Sequence, residues 1–183
     1  MAAPQPRLVT VEELEALPED AGRFELIDGV LVPMSPTIRA HARAVIRIGQ
    51  ILLNYIDDHP LGEVQGGDPG MILRRRPDTV LAPDVCFIAG ERLDDVPSPG
   101  FQRLVPDLVV EVLSPSDRPG AVAAKTQRWL AAGARLVWNV DPEAVEVVAF
   151  VPGEEPRVYG EDDLLPGEPV LPGFSARVRD LLA

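Results

Sequence analysis

Hydrophobic and polar positions in this chain fall into blocks whose period changes from helical to strand-like along its length. Thr10-Val11-Glu12-Glu13 has the form of a capping box and opens a short helix ending near Leu17-Pro18. Two apolar-rich runs, Arg23-Phe24-Glu25-Leu26-Ile27 and Val30-Leu31-Val32, flank Asp28-Gly29, a pair suited to the tight turn of a β-hairpin. Ser35-Pro36 reads as the N-cap and first position of a helix reaching about Asp58, with Ile38, Ala42, Val45, Leu52 and Ile56 at helical spacing.

From Glu63 onward the pattern turns to strands. Met71-Ile72-Leu73, Val85-Cys86-Phe87-Ile88 and Leu108 to Leu113 are the first of them. Gly120 to Ala132 reads as a helix closed by Gly133. Leu136 to Val140 and Val145 to Phe150 follow as strands joined by an Asp141-Pro142-Glu143-Ala144 turn, and a short helix near Ala176 to Leu182 ends the chain. This order predicts an α/β (α+β) fold: a mixed sheet flanked by helices, with an N-terminal hairpin.

Within the strand 108–113, alternation places Asp107, Val109, Glu111 and Leu113 on one face and Leu108, Val110 and Val112 on the other. A strand apolar on both faces is central and covered. Glu111 is then a carboxylate in or at the rim of a core, and must be protonated, paired or bound to a cation. Pro83-Asp84 opens another apolar strand. Two carboxylates on adjacent strands can share one hard divalent cation such as magnesium, with the Val112 carbonyl as a further oxygen. Taken singly, Asp84 reads equally as a turn residue after proline, and Glu111 as one half of a salt bridge to arginine.

Composition sharpens this picture. Lysine plus arginine total 17, and Lys125 is the only lysine, so one tunable ammonium group stands among planar, permanently charged guanidinium groups. With 183 residues, the chain suits a single domain over 1–183. The net charge of −12 argues against strong non-specific nucleic-acid binding, although bound metal or a local basic patch can reverse the field at one site. Cys86 is the only cysteine, which excludes a disulfide frame or a cysteine zinc cluster and fits a reducing cytoplasm. Met1-Ala2-Ala3-Pro4-Gln5-Pro6 lacks the apolar core of a leader. No apolar run approaches the roughly 18 residues of a membrane helix.

Pro83-Asp84 followed by Glu111-Val112-Leu113 resembles the PD-(D/E)XK nuclease pattern, with Leu113 at the usual lysine position and Lys125 on the following helix, where several branches of that superfamily carry it. A longer series adds to this: Arg23 to Gly29, Met34-Ser35-Pro36 with His41, Pro106 to Ser116, and Lys125 through Trp138 to Asp141-Pro142. The series is similar, from about residue 10 to 150, to a large bacterial family of restriction-endonuclease-like proteins long carried as a domain of unknown function. The chain departs from that family at Ala121, where members commonly have an acid one turn before the lysine, and at Gly133-Ala134-Arg135-Leu136-Val137-Trp138, where many read Gly-Val-x-Glu-Tyr-Trp.

The resemblance implies a restriction-endonuclease-like fold and a metal-dependent endonuclease acting on DNA, with a homodimer as a plausible assembly. Asp84, Glu111 and the Val112 carbonyl would hold Mg2+ or Mn2+. Lys125 would orient or deprotonate water, or stabilise developing charge. Glu25 corresponds to an acid that many members place beside the site, or is a solvent-facing hairpin residue. His41 helps order the site by the resemblance, and by itself reads as a structural helix residue. Arg39, Arg43 and Arg47 form a basic stripe that is either a solvated helix face or a guide for phosphates. Arg74-Arg75-Arg76 either meets phosphate or protects a strand edge. Trp129 and Trp138 read as core. Two other readings stand beside this one: a nuclease-fold protein that has lost catalysis and acts as a binding or assembly module, and a carboxylate pair hydrolysing a glycoside, in which Lys125 has no natural role.

Overall fold

A computed structural model describes residues 7–95 and 100–182. The Met1–Pro6 segment lies outside them. Helix α1 (Val11–Glu15) is capped as its sequence predicts, with the Thr10 hydroxyl and the Glu13 carboxylate each taking the other's backbone N–H. The hairpin follows as β1 (Phe24–Ile27) and β2 (Val30–Pro33), turning through Asp28 and Gly29, both at positive φ.

Helix α2 (Arg39–Asp58) begins later than the Ser35-Pro36 signal predicts. The Met34 N–H still donates to the Arg23 carbonyl at 2.9 Å, which ties the chain to the hairpin. Ile38, not Ser35, is the extended N-cap, and no side chain caps it. The buried stripe of α2 is Ala44, Ile48, Leu52 and Ile56, an unbroken i, i+4 row. Ile38 and Ala42, expected on that face, are exposed.

The remaining strands are β3 (Gly62–Gly66), β4 (Met71–Arg74), β5 (Thr79–Leu81), β6 (Val85–Ala89), β7 (Leu108–Val112), β8 (Leu136–Asp141), β9 (Glu146–Phe150), β10 (Arg157–Tyr159), β11 (Leu164–Pro166) and β12 (Ser175–Arg177). Helix α3 (Pro119–Ala132) connects β7 to β8, and α4 (Val178–Leu182) ends the described chain. The main sheet has the order β10-β9-β8-β7-β6-β3, and a second sheet has the order β2-β1-β5-β4. β7 and β8 run parallel, as a helical crossover requires. Three-residue strands such as β5 and β10 are too short to show a period, and the sequence pattern did not reveal them. The C-terminal helix is shorter than expected because Ser175–Arg177 pairs with β11 instead.

β7 lies inside the main sheet and is buried along its length. Leu108, Val110 and Val112 pack in one core with Ile48 and Leu52 of α2. Val109 packs in a second core with Trp129, Val137, Met71 and Leu81. Asp107 and Glu111 share this second face and have different surroundings. Asp107 accepts the Ala89 N–H at 2.9 Å and sits between Arg92 at 2.9 Å and Arg135 at 3.5 Å, the arginine pairing considered for Glu111 from sequence. Glu111, at the other end of the strand, meets Lys125.

Candidate active site

The two sheets meet where β5 passes into β6 through Ala82-Pro83-Asp84, and the candidate site is built on that joint. Two strands, the joint itself and one helix each bring one residue there. β1 carries Glu25, the joint carries Asp84, β7 carries Glu111 near its C-terminal end, and α3 carries Lys125.

The Lys125 ammonium is surrounded by three acceptors: Glu111 Oε2 at 2.8 Å, Glu25 Oε1 at 2.9 Å and the Ala82 carbonyl at 3.2 Å. An ammonium has three N–H donors, so the set is matched. Glu25 Oε1 also accepts the Ala82 N–H at 3.0 Å. Glu25 is therefore a buried member of the cluster, and its solvent-facing reading is excluded. The second oxygen of Glu111 accepts the indole N–H of Trp129 at 2.7 Å. Trp129 is fully buried, as expected of core, yet it has a polar duty that hydrophobic patterning could not show. Its position one turn after Lys125 was the available signal.

Asp84 is held at both oxygens. Oδ2 accepts the Val112 N–H at 2.7 Å, and Oδ1 lies 3.2 Å from His41 Nε2. A strand residue's N–H and C=O face the same side, so the Val112 carbonyl also faces Asp84. His41 belongs to the cluster through this contact, while its Nδ1 is buried without a partner among the described residues. Beneath the lysine, Thr126 and Asn139 form a buried pair, with Asn139 Nδ2 donating to Thr126 Oγ1 at 2.9 Å. Asn139 stands beside Glu111 in the parallel register of β7 and β8.

These groups open into a cavity of about 620 Å³, walled by the hairpin and the 33–38 segment on one side and by α3 on the other. Ala121, the position that departs from the family pattern, faces this cavity. Arg39 and Arg43 do not line it and are exposed on α2. Arg47 donates to the Asp180 carbonyl at 3.0 Å and fastens α2 to α4. The arginine stripe thus does not line the cavity. Arg75 pairs with Glu12 and Asp78, and Arg74 with Asp28, so these two members of the 74–76 run are engaged in ion pairs.

Burial is the main force raising the Glu111 pKa, which is pushed up to about 7; Lys125 opposes the rise, and the nearby charges of Asp84 and Glu25 add to it. Burial pulls the Lys125 pKa down, but the charges of Glu111 and Glu25 outweigh it and hold the proton more firmly than in an ordinary lysine. The hydrogen bond to Asp84 raises the His41 pKa against the opposing effect of burial.

The cluster therefore has an excess of carboxylates over ammonium groups, and a divalent cation would relieve it. Among the described residues no three His, Cys, Asp or Glu side chains form a ready-made metal cage. The donor set is instead two carboxylates and a carbonyl, which suits a magnesium-like ion that keeps water or substrate oxygens as its other ligands. Each oxygen of Asp84 and Glu111 accepts one N–H and keeps a second lone pair. The residues present fit such an ion.

No helix among the described residues is long and apolar enough to cross a membrane. No curated protein matches the chain. Its fold matches the crystal structure of a "putative nuclease belonging to DUF820" from Anabaena variabilis ATCC 29413, with a TM-score of 0.81 over 95% of this chain and 97% of that one, at 20% sequence identity. A likeness at that identity establishes the restriction-endonuclease-like fold predicted from the sequence, and fold alone does not assign chemistry. The family described as "Putative restriction endonuclease", Uma2, matches residues 11–179, and the chain belongs to that family.

Proposed function

We propose that the cavity is the active centre of a metal-dependent endonuclease that hydrolyses DNA phosphodiester bonds. The observation that carries this reading is the convergence of Glu25, Asp84, Glu111 and Lys125 at the joint between the two sheets, with Lys125 arriving from α3. It accounts for the lone lysine, which a glycosidase-type carboxylate pair leaves without a role.

Asp84, Glu111 and the Val112 carbonyl would hold Mg2+ or Mn2+. A divalent cation there supplies Lewis acidity toward water and phosphate oxygens. The chain's own residues do the rest. Lys125, bracketed by Glu111 and Glu25, presents fixed positive charge to an attacking water or to charge developing on the phosphate. Glu25 fixes the ammonium through the same oxygen that takes the Ala82 N–H. His41 and the Val112 N–H hold Asp84, and Trp129 holds Glu111. The hairpin and α3 wall the cavity.

Supercoiled plasmid incubated with the protein in manganese tests the proposal. Wild type is expected to nick the plasmid, and chelator or Asp84→Asn to stop it. Intact plasmid, with folded protein that still binds manganese, would favour the second reading, a binding or assembly module. The net charge of −12 is the observation on that module's side.

A further inference from the structure

Two arginines, Arg23 and Arg128, line the cavity beside Lys125, and of the two Arg23 is already paired with Asp68. Arg128 follows Lys125 by three positions on α3, so both side chains lie on one helix face, and both line the cavity. Lys125 sits over Glu25 of β1, and Arg128 sits over Asp28 at the hairpin turn that follows. Its contact with Asp28 is long, at 3.8 Å, and Asp28 is already paired to Arg74. Other arginines of the chain are spent on structure: Arg23 on Asp68, Arg47 on Asp180, Arg75 on Asp78, Arg92 and Arg135 on Asp107. The side chains of Arg39, Arg43, Arg76, Arg103 and Arg118 also donate no hydrogen bond among the described residues, but none of them lines the cavity. Arg128 is half-buried, aimed into the cavity wall and free in its donors, one helical turn from the ammonium at the reacting centre.

No phenylalanine, tyrosine or tryptophan lines the cavity among the described residues, and the His41 ring is held against Asp84. A stacking platform for bases is therefore missing there, and recognition falls on the sugar–phosphate backbone. A guanidinium is suited to it, since its planar fork matches two phosphate oxygens. We propose that Arg128 is a substrate-binding residue that grips the phosphate next to the scissile one, and so sets the register of the strand over Lys125. This rests on the nuclease reading of the cavity. Arg39 and Arg43 on α2, read from sequence as a solvated face or a guide for phosphates, do not line the cavity.

The test is the salt dependence of binding. A fluorescent duplex oligonucleotide is titrated with the protein in calcium, an oxygen-seeking divalent ion that substitutes poorly for magnesium in activating water, and anisotropy is read at several salt concentrations. Arg128→Gln is expected to bind about ten-fold more weakly and to lower the slope of log affinity against log salt by about one. Arg128→Lys should keep the slope and recover only part of the affinity, because a point charge replaces a fork. Arg43→Gln should leave the slope near wild type. Equal slopes and affinities for wild type and Arg128→Gln would overturn this proposal while leaving the nuclease reading intact. A wild-type protein with no measurable binding would overturn both.

Discussion

The indole N–H of Trp129 donates to Glu111 Oε1 at 2.7 Å, one turn along α3 from the lysine that takes the other oxygen. The carboxylate at the end of β7 is thus oriented from a single helix. Trp129→Phe removes the donor and keeps most of the ring volume. We expect a loss of about 2 kcal/mol in unfolding free energy, the usual scale for a hydrogen bond to a charged group. Denaturant titration measures it. The loss should be larger at pH 8 than at pH 5, where Glu111 is protonated.

Removing the ammonium should cost more. In Lys125→Met two buried carboxylates lose their shared partner, a change expected to destabilise by about 3–5 kcal/mol at neutral pH. Adding Glu111→Gln to Lys125→Met should restore part of the loss, since it removes one of the stranded charges. A double-mutant cycle followed by denaturation checks this. Strict additivity of the two substitutions would contradict the pairing.

The raised pKa of Glu111 makes a signed prediction for protein kept in chelator. Its folded value of about 7 lies above the ordinary 4.5, so the folded state binds the proton more tightly than the unfolded state. The stability this contributes is full below about pH 4.5 and is lost as pH rises through about 7. The difference in unfolding free energy between wild type and Glu111→Gln should therefore fall with rising pH over this window, by on the order of 3 kcal/mol. A difference that grows with pH would contradict the assignment.

Cation binding should reverse part of that loss. Manganese or magnesium is expected to raise the melting temperature of the wild type at pH 8, because a ligand of the folded state stabilises it by mass action. Asp84→Asn and Glu111→Gln should each abolish most of the shift. Arg43→Gln, on the exposed face of α2, should keep all of it. Differential scanning calorimetry with and without the metal reads the effect.

Much of this arrangement was legible in the chain because it depends on local pattern. The Thr10 and Glu13 capping box, the Asp28-Gly29 turn and Gly133 in a left-handed C-cap are short-range signals, and each forms as read. The burial of β7 followed from its apolar faces. The partners of Asp107 and Glu111 did not, since both acids lie on the same face of one strand and only the tertiary fold gives arginines to one and a lysine to the other. Helix α2 starts at Arg39 and not at the Ser35-Pro36 signal; the Met34 N–H instead extends the hairpin pairing by donating to the Arg23 carbonyl. The polar contacts of Trp129, Thr126 and Asn139 and the cavity position of Arg128 are not legible in the sequence, because helix or strand spacing gives the face a residue occupies and not the atoms it meets there.

We propose Asp84, Glu111 and Lys125 as a metal-dependent phosphodiesterase centre. The most direct measurement is the rate of plasmid relaxation by wild type and Glu111→Gln across a manganese titration, with both proteins matched for folding by circular dichroism. The rate is expected to saturate with manganese in the wild type and to fall at least about 100-fold in the variant, the loss expected on removing a group that stabilises the transition state electrostatically. Equal rates in the two proteins, or relaxation that survives chelator, would contradict it.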